Sequence, residues 1–271
     1  MRRIVIRARK RFGQHFLHDP AVIARIVAAV GLQPGEAAVE IGPGRGALTG
    51  ALLEAAGRLD AIEIDRDLVT LLRGRFAAGG GLTLHESDVL DFDWRALAAA
   101  RGARLRLIGN LPYNISTPLL FRLLDCIDVI DDMHFMLQRE VAERILAGPG
   151  SDAYGRLGVM LAPRLGAERV LDVGAGAFQP PPRVTSTMVR LHALDAPPPP
   201  PLYGVLVAAA FAQRRKTLRN ALREYLDAAQ IRAVGLDPGA RAEQLSPAQF
   251  AALARAAQQA ALAQAPDAVI H

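Results

Sequence analysis

The residue types that can carry chemistry fall at short intervals between residues 40 and 113. Glu40-Ile41-Gly42-Pro43-Gly44-Arg45-Gly46-Ala47-Leu48-Thr49 follows a short apolar run and leads into a helical pattern. In that setting, glycines let the backbone approach a ligand closely. Gly42, Gly44 and Ala47 also fit the dinucleotide spacing G-x-G-x-x-A, and Glu63 stands about twenty residues on, where a ribose-binding acid belongs. The loop alone leaves a nicotinamide oxidoreductase open, as it does a plain strand-to-helix turn. Glu63 ends the second predicted strand and Asp88 follows the third. In an open parallel sheet the ligand crevice lies beyond these strand ends. A carboxylate at the second strand end can accept both hydroxyls of a ribose, and one at the third can accept an adenine amino group.

The fourth strand end narrows the choice. There the chain reads Asn110-Leu111-Pro112-Tyr113. An exocyclic adenine nitrogen is a poor nucleophile because its lone pair is delocalised into the ring, so an enzyme that alkylates it must orient the amine with hydrogen-bond acceptors. The side-chain oxygen of Asn110 and the carbonyl of Leu111 can each take one amino hydrogen. Pro112 stiffens the turn, and Tyr113 offers a face on which the base stacks. Such stacking is worth roughly 1 to 3 kcal/mol. A nicotinamide enzyme gives no reason for this tetrapeptide. No Ser/His/Asp set or paired carboxylates stand ready for another chemistry.

The elements that must position these residues alternate between the two periodicities from about residue 21 to 194. Asp19-Pro20 caps a helix whose apolar face is Val22, Ile23, Ile26, Val27 and Val30, and Gly31 ends it. Strands are predicted at Ala37 to Ile41, Leu59 to Ile64, Leu82 to Glu86, Arg104 to Ile108, Met133 to Leu137, Arg169 to Val173 and Thr187 to Ala193. Helices fall at Ala47 to Ala56, Asp67 to Phe76 and between most of the remaining strands. The expected fold is α/β, a Rossmann-like doubly wound parallel sheet of about seven strands. Five prolines at Pro197 to Pro201 cannot continue a strand ladder. The expected division is therefore a catalytic domain over 1–195, a linker over 196–201 and a small all-α domain over 202–271, with helices at Leu202 to Leu226 and Pro247 to Ala263.

Composition bounds the partners. The 271 residues carry a net charge of +5, with lysine only at Lys10 and Lys216, so the positive charge is almost entirely arginine. Arginine's planar fork suits phosphate, and an anionic polymer is a natural partner. Basic clusters fall at Arg9, Lys10 and Arg11 in the N-terminal arm and at Arg214, Arg215, Lys216 and Arg219 in the second domain. The single cysteine, Cys126, excludes an internal disulfide and a Cys-rich zinc cluster, and no metal is expected. No apolar run approaches the roughly 20 residues of a membrane span. A cytoplasmic monomer is the expectation.

Dense matches along nearly the whole chain resemble the ribosomal RNA adenine dimethyltransferase family in its small-subunit, or KsgA, branch. They include Arg9 to Leu17, the glycine loop, Asn110 to Pro118, Met133 to Gln138, Ala153 to Leu157, Phe178 to Val184 and Gln213 to Asn220. The resemblance implies a class I methyltransferase using S-adenosylmethionine, bound by His15, Leu17, Gly42, Gly44, Glu63, Asp88 and Asn110. The family commonly has Asn where this chain has His15. It also implies a substrate: two adjacent adenines in the 3′-terminal hairpin loop of 16S ribosomal RNA in the small subunit, each methylated twice. Asn110, Leu111, Pro112, Tyr113 and Phe178 would form the catalytic pocket, with Tyr113 and Phe178 holding a looped-out adenine between two rings. A large-subunit RNA methyltransferase and a non-catalytic ribosome-assembly factor remain as alternatives. The Gln213 to Asn220 stretch resembles the small-subunit branch.

Overall fold

A computed structural model describes residues 14–213 and 215–264. The chain forms two compact units, one from residues up to Ala142 together with Gly166–Ala193, the other from Glu143–Leu165 together with the chain from Leu194 onward. In order, the first unit contains β1 (Phe16–Leu17), α1 (Pro20–Val30), β2 (Ala37–Ile41), α2 (Thr49–Ala56), β3 (Leu59–Glu63), α3 (Arg66–Arg75), β4 (Leu82–Glu86), α4 (Trp94–Arg101), β5 (Leu105–Asn110), α5 (Ser116–Leu124) and β6 (Ile130–Gln138). The chain continues through α6 (Arg139–Leu146), α7 (Arg156–Leu161), β7 (Leu165–Val173), β8 (Phe178–Gln179) and β9 (Ser186–Ala193). It ends with α8 (Tyr203–Ala212), α9 (Leu218–Ala221), α10 (Ala228–Ala233) and α11 (Pro247–Gln264).

Local chemistry sets the helix ends. The Asp19 carboxylate accepts the N–H groups of Ala21 and Val22, Pro20 occupies the first turn, and Gly31 closes α1 at φ 59° with its N–H on the Val27 carbonyl. Ile26 and Val30 are buried beneath this helix, with Val22, Ile23 and Val27 partly buried around them. Strands β2 and β3 are buried at every position, as expected of central strands covered on both faces.

The main sheet has seven strands in the order β4-β3-β2-β5-β6-β9-β7. The five from β4 to β6 run parallel, while β9 lies antiparallel to β6. The sequence pattern places these strands correctly and does not reveal the reversal of β9. Chain order changes direction at β2 and β5, and a crevice opens at the carboxyl ends of strands on either side of such a switch point. The strand pair that the sequence pattern does not reveal is β1 with β8, antiparallel in the register Phe16↔Gln179 and Leu17↔Phe178.

In the second unit, buried Tyr154, Val159, Tyr203, Leu206, Phe250 and Leu253 share one core. The hydroxyls of Tyr154 and Tyr203 donate to the carbonyls of Leu245 and Val159, each at 2.7 Å. Tyr154 and Val159 precede the polyproline segment, so the compact units divide the chain differently from the 1–195 and 202–271 reading. The helix expected over Leu202 to Leu226 is interrupted. Gln213 leaves helical space at φ −133°, ψ 77°, and Thr217 pairs as an isolated bridge with Arg241 before α9 begins. Among the described residues no helix is long and apolar enough to cross a membrane.

One buried group makes the first unit sensitive to acid. His134 on β6 is 1% exposed, and its Nδ1 lacks a hydrogen-bond partner among the described residues. Burial pushes its pKa down from 6.5 to about 4, with the charge of Asp132 opposing. The unfolded chain thus binds a proton that the folded chain rejects. The resulting contribution to stability is complete above pH 6.5 and is lost as pH falls towards 4. The urea midpoint of the wild-type protein is expected to fall between pH 7 and 5, and the slope to flatten in His134→Leu. Parallel slopes for the two proteins would remove His134 as the cause.

Candidate active site

At the carboxyl ends of β2, β3 and β5 lies a cavity of about 320 Å³. Gly42 leaves β2 with its N–H on the Ile62 carbonyl at 2.9 Å. Gly44 then turns at φ +57°, where a Cβ would stand 3.0 Å from the Phe16 ring, so only glycine fits the bend. Glu63, at the end of β3, holds this loop. One carboxylate oxygen accepts the Gly44 N–H at 3.2 Å and the other accepts the Asp65 N–H at 3.0 Å. Burial raises the Glu63 pKa above the usual carboxylate range, against the lowering effect of these bonds.

A second acid, Glu40, lines the same cavity from β2. It is 2% exposed and accepts the Thr49 hydroxyl at 2.6 Å. Burial raises its pKa to about 7, the Thr49 bond opposes, and the charge on Glu63 pushes it further up. Asp88, beyond β4, also faces the cavity while one oxygen accepts the Leu90 N–H at 2.9 Å. Three acids against one arginine, Arg45, around this cavity favour a ligand that brings hydroxyls, amines or positive charge.

Across the switch point, β5 pairs with β2 in the register Ile41↔Gly109. A Cβ at Gly109 would stand 2.8 Å from the Ile41 carbonyl oxygen, so glycine permits this register and delivers the next residue, Asn110, to the crevice. The Asn110 Nδ2 donates to the His15 carbonyl at 2.8 Å. A carbonyl can only accept, so the amide nitrogen is committed there and Oδ1 remains as an acceptor. The Leu111 N–H bonds to the Met136 carbonyl at 3.2 Å. The carbonyls of Pro112 and Tyr113 take the Ile115 N–H and the Ser116 hydroxyl, each at 3.2 Å. Among the described residues, the Leu111 carbonyl has no hydrogen-bond donor. Oδ1 of Asn110 and the carbonyl of Leu111 are thus the acceptors that this turn offers.

Tyr113 packs beside the His15 imidazole, with ring centroids 5.5 Å apart and planes tilted by 32°. Burial raises the pKa of its hydroxyl, with the nearby Ser186 hydroxyl opposing. Phe178 is 2% exposed and belongs to the apolar cluster that includes Leu17 and Met188. It still contributes to the cavity wall.

His15, Leu17, Gly42, Gly44, Glu63, Asp88, Asn110, Leu111, Pro112, Tyr113 and Phe178 all line this one cavity. Arg9, Lys10, Arg11 and Arg214 lie outside the described residues, while Arg215, Lys216 and Arg219 are exposed in the second unit. The sequence reading did not single out Glu40, Thr49, Ile64 or Ser186. An acid inside the otherwise apolar run Ala37–Ile41 was the available signal for Glu40. Ile64, an apolar side chain 46% exposed at the cavity edge, carried none.

A switch-point crevice with a glycine loop, successive strand-end acids and an Asn-Leu-Pro-Tyr turn defines a class I methyltransferase. The fold matches a dimethyladenosine transferase from Plasmodium falciparum with a TM-score of 0.73 at 23% identity, over 88% of this chain and 96% of that one. It also matches the 23S rRNA methyltransferase ErmE with a TM-score of 0.70 at 25% identity, over 90% and 100% of the two chains. The family model described as ribosomal RNA adenine dimethylase matches residues 5–259. Relatives named ribosomal RNA small subunit methyltransferase A include one from Methylococcus capsulatus, 56% identical over 91% of this chain and 96% of its own. Another, from Pseudomonas aeruginosa, is 50% identical over 92% of this chain and 94% of its own. The chain therefore belongs to the ribosomal RNA adenine dimethylase family.

The close approach of β2 and β5 gives a direct check on how the crevice is built. In Gly109→Ala the added methyl meets backbone, which cannot swing aside, so the strands must part. A loss of about 1 to 3 kcal/mol is expected in urea unfolding. Wild-type stability in this variant would show that the register has slack.

Proposed function

We propose that this protein uses S-adenosylmethionine to dimethylate the N6 amino groups of two adjacent adenines in the 3′-terminal hairpin loop of 16S ribosomal RNA, acting on the small subunit or its precursor in the cytoplasm. The observation that carries the reading is the Asn110 bond to the His15 carbonyl, which leaves Oδ1 and the Leu111 carbonyl as paired acceptors. An adenine amino group has two hydrogens to give such a pair. Accepting both favours a lone pair localised on the nitrogen instead of delocalised into the ring, and the turn that orients the amine also lies at the switch-point crevice. Tyr113 supplies a stacking face for the extruded base.

The cofactor side fits as well. S-adenosylmethionine, when bound, supplies an electrophilic methyl group on a positively charged sulfur. Glu63 and Asp88 offer acceptors for ribose hydroxyls and an adenine amine, and buried Glu40 favours positive charge nearby. Glu63 reaches such a ligand with oxygens that already hold the loop, so its first role is to shape the cradle. After attack the amine loses its proton to water, and no side-chain base is required. Positioning carries most of the rate. Arg215, Lys216 and Arg219 on the second unit, with the N-terminal arm, are suited to RNA phosphates. The small-subunit substrate is favoured by relatives of that name at 50% and 56% identity, against 25% for the 23S rRNA methyltransferase.

The test is incubation of the protein and methyl-labelled cofactor with undermethylated small subunits, followed by mapping of the label. Label on two adjacent adenines of the 3′-terminal hairpin loop is expected. Label elsewhere contradicts the substrate, and particle binding without product favours an assembly factor. Two variants separate the roles. Asn110→Ala is expected to lower turnover at least about 100-fold, with cofactor affinity within a few-fold of wild type. Glu63→Gln leaves one acceptor for two backbone N–H groups, so cofactor affinity is expected to fall about tenfold or more. The reverse pattern would overturn the assignment.

A further inference from the structure

His15 stands where three separate attachments converge. Its main-chain carbonyl takes the Asn110 amide, its Nδ1 lies 2.8 Å from the Pro180 carbonyl, and its ring faces Tyr113. We propose that the His15 side chain is a positioning residue for the target base, a tie between the Tyr113 ring and the Pro180 segment, and that its imidazole is not a cofactor ligand. The proposal rests on the reading of this cavity as an adenine N6 methylation site.

The geometry argues for a tie on chemical grounds. Pro180, Pro181 and Pro182 have no backbone N–H, so this segment can be held by hydrogen bonds only through its carbonyls, and a donor must be brought to it. The Nδ1–H of His15 is such a donor. Because a carbonyl only accepts, Nδ1 must carry the hydrogen, which commits that ring nitrogen to Pro180. The neighbouring backbone makes the same connection: Leu17 pairs with Phe178 across β1 and β8, and the His18 N–H bonds to the Ala177 carbonyl at 2.9 Å. Residues 15 to 18 are thus strapped along 177 to 180, and the imidazole extends the strap to Tyr113.

The consequence falls on the base and not on the donor. Tyr113 is braced along one side of its ring by His15, so a purine stacked on it meets a wall supported on that side. A braced wall matters most when the amine already carries one methyl and has a single hydrogen left for the Asn110 and Leu111 acceptors. With fewer hydrogen bonds to aim it, the second transfer depends more on stacking. Removing the imidazole leaves the carbonyl bond to Asn110 in place, because that bond belongs to the main chain.

The test measures kcat and KM on undermethylated small subunits, the ratio of N6-monomethyl- to N6,N6-dimethyladenine, and cofactor affinity, for wild type, His15→Ala, His15→Phe and His15→Asn. In His15→Ala, kcat/KM for RNA is expected to fall about tenfold and the product to shift towards monomethyladenine, with cofactor affinity within about twofold of wild type. His15→Phe keeps a ring without the donor and His15→Asn keeps a donor without the ring, so each should be intermediate. Wild-type turnover and product ratio in His15→Ala would overturn the proposal. So would an unchanged product ratio with weaker cofactor binding, the mark of a ligand, or with lower melting temperature alone, the mark of a merely structural residue. Failure of the wild-type protein to dimethylate any adenine would instead end the reading of the site.

Discussion

A primary amide has two nearly isosteric ends with opposite hydrogen-bonding character, and the proposed reaction requires the oxygen end of Asn110 to face the base. The 2.8 Å bond from Nδ2 to the His15 carbonyl makes that choice. Were the amide reversed, two oxygens would face each other across this contact, while an N–H group would confront the hydrogens of an incoming amine. The rest of the first unit serves this single orientation. The β2–β5 register, permitted by Gly109, delivers Asn110 to the crevice. The β1–β8 pairing holds the segment that carries the His15 carbonyl, although its strands are about 160 residues apart in sequence. The Asn110 amide is thereby fixed by main chain from a distant part of the sequence.

The electrostatics divide in the same way. The chain as a whole carries a net charge of +5, yet the cavity is lined by Glu40, Glu63 and Asp88. An arginine-rich exterior attracts a polyanion at long range, while a cavity lined by three acids and one arginine, Arg45, suits a cationic methyl donor. Glu40, lifted to about 7 by burial, lies at the threshold between neutral and ionised near neutral pH. A positive charge beside it favours the ionised form. On the proposed reading, the RNA phosphates and the cationic methyl donor therefore meet different parts of the protein, and only the target base enters the crevice.

Much of this was legible in the sequence because it rests on local pattern. The seven strands of the main sheet follow from short apolar runs, α1 from Asp19, Pro20 and Gly31, and the cavity from motifs that each close a strand. All eleven residues expected at the catalytic and cofactor sites line one cavity. What stayed hidden depends on long-range contacts. β1 and β8 are two residues each, too short for any periodicity to show. The break between α8 and α9 comes from the pairing of Thr217 with Arg241, which overrides a helix-forming run of Ala, Leu and Arg. The share of the second unit that precedes β7 is recruited by Tyr154 and Val159, whose neighbours lie far along the chain. His15 is the sharpest case: a departure from the family's usual residue was visible, but not the carbonyl of Pro180 that gives its ring a partner.

The central claim can be tested by a crystal structure of the protein with S-adenosylhomocysteine and adenosine. The account expects the adenosine N6 within hydrogen-bonding distance of both Asn110 Oδ1 and the Leu111 carbonyl, with Nδ2 still on His15. An adenosine bound elsewhere in the crevice, or an Asn110 amide released from His15 and turned with nitrogen towards the base, would contradict it.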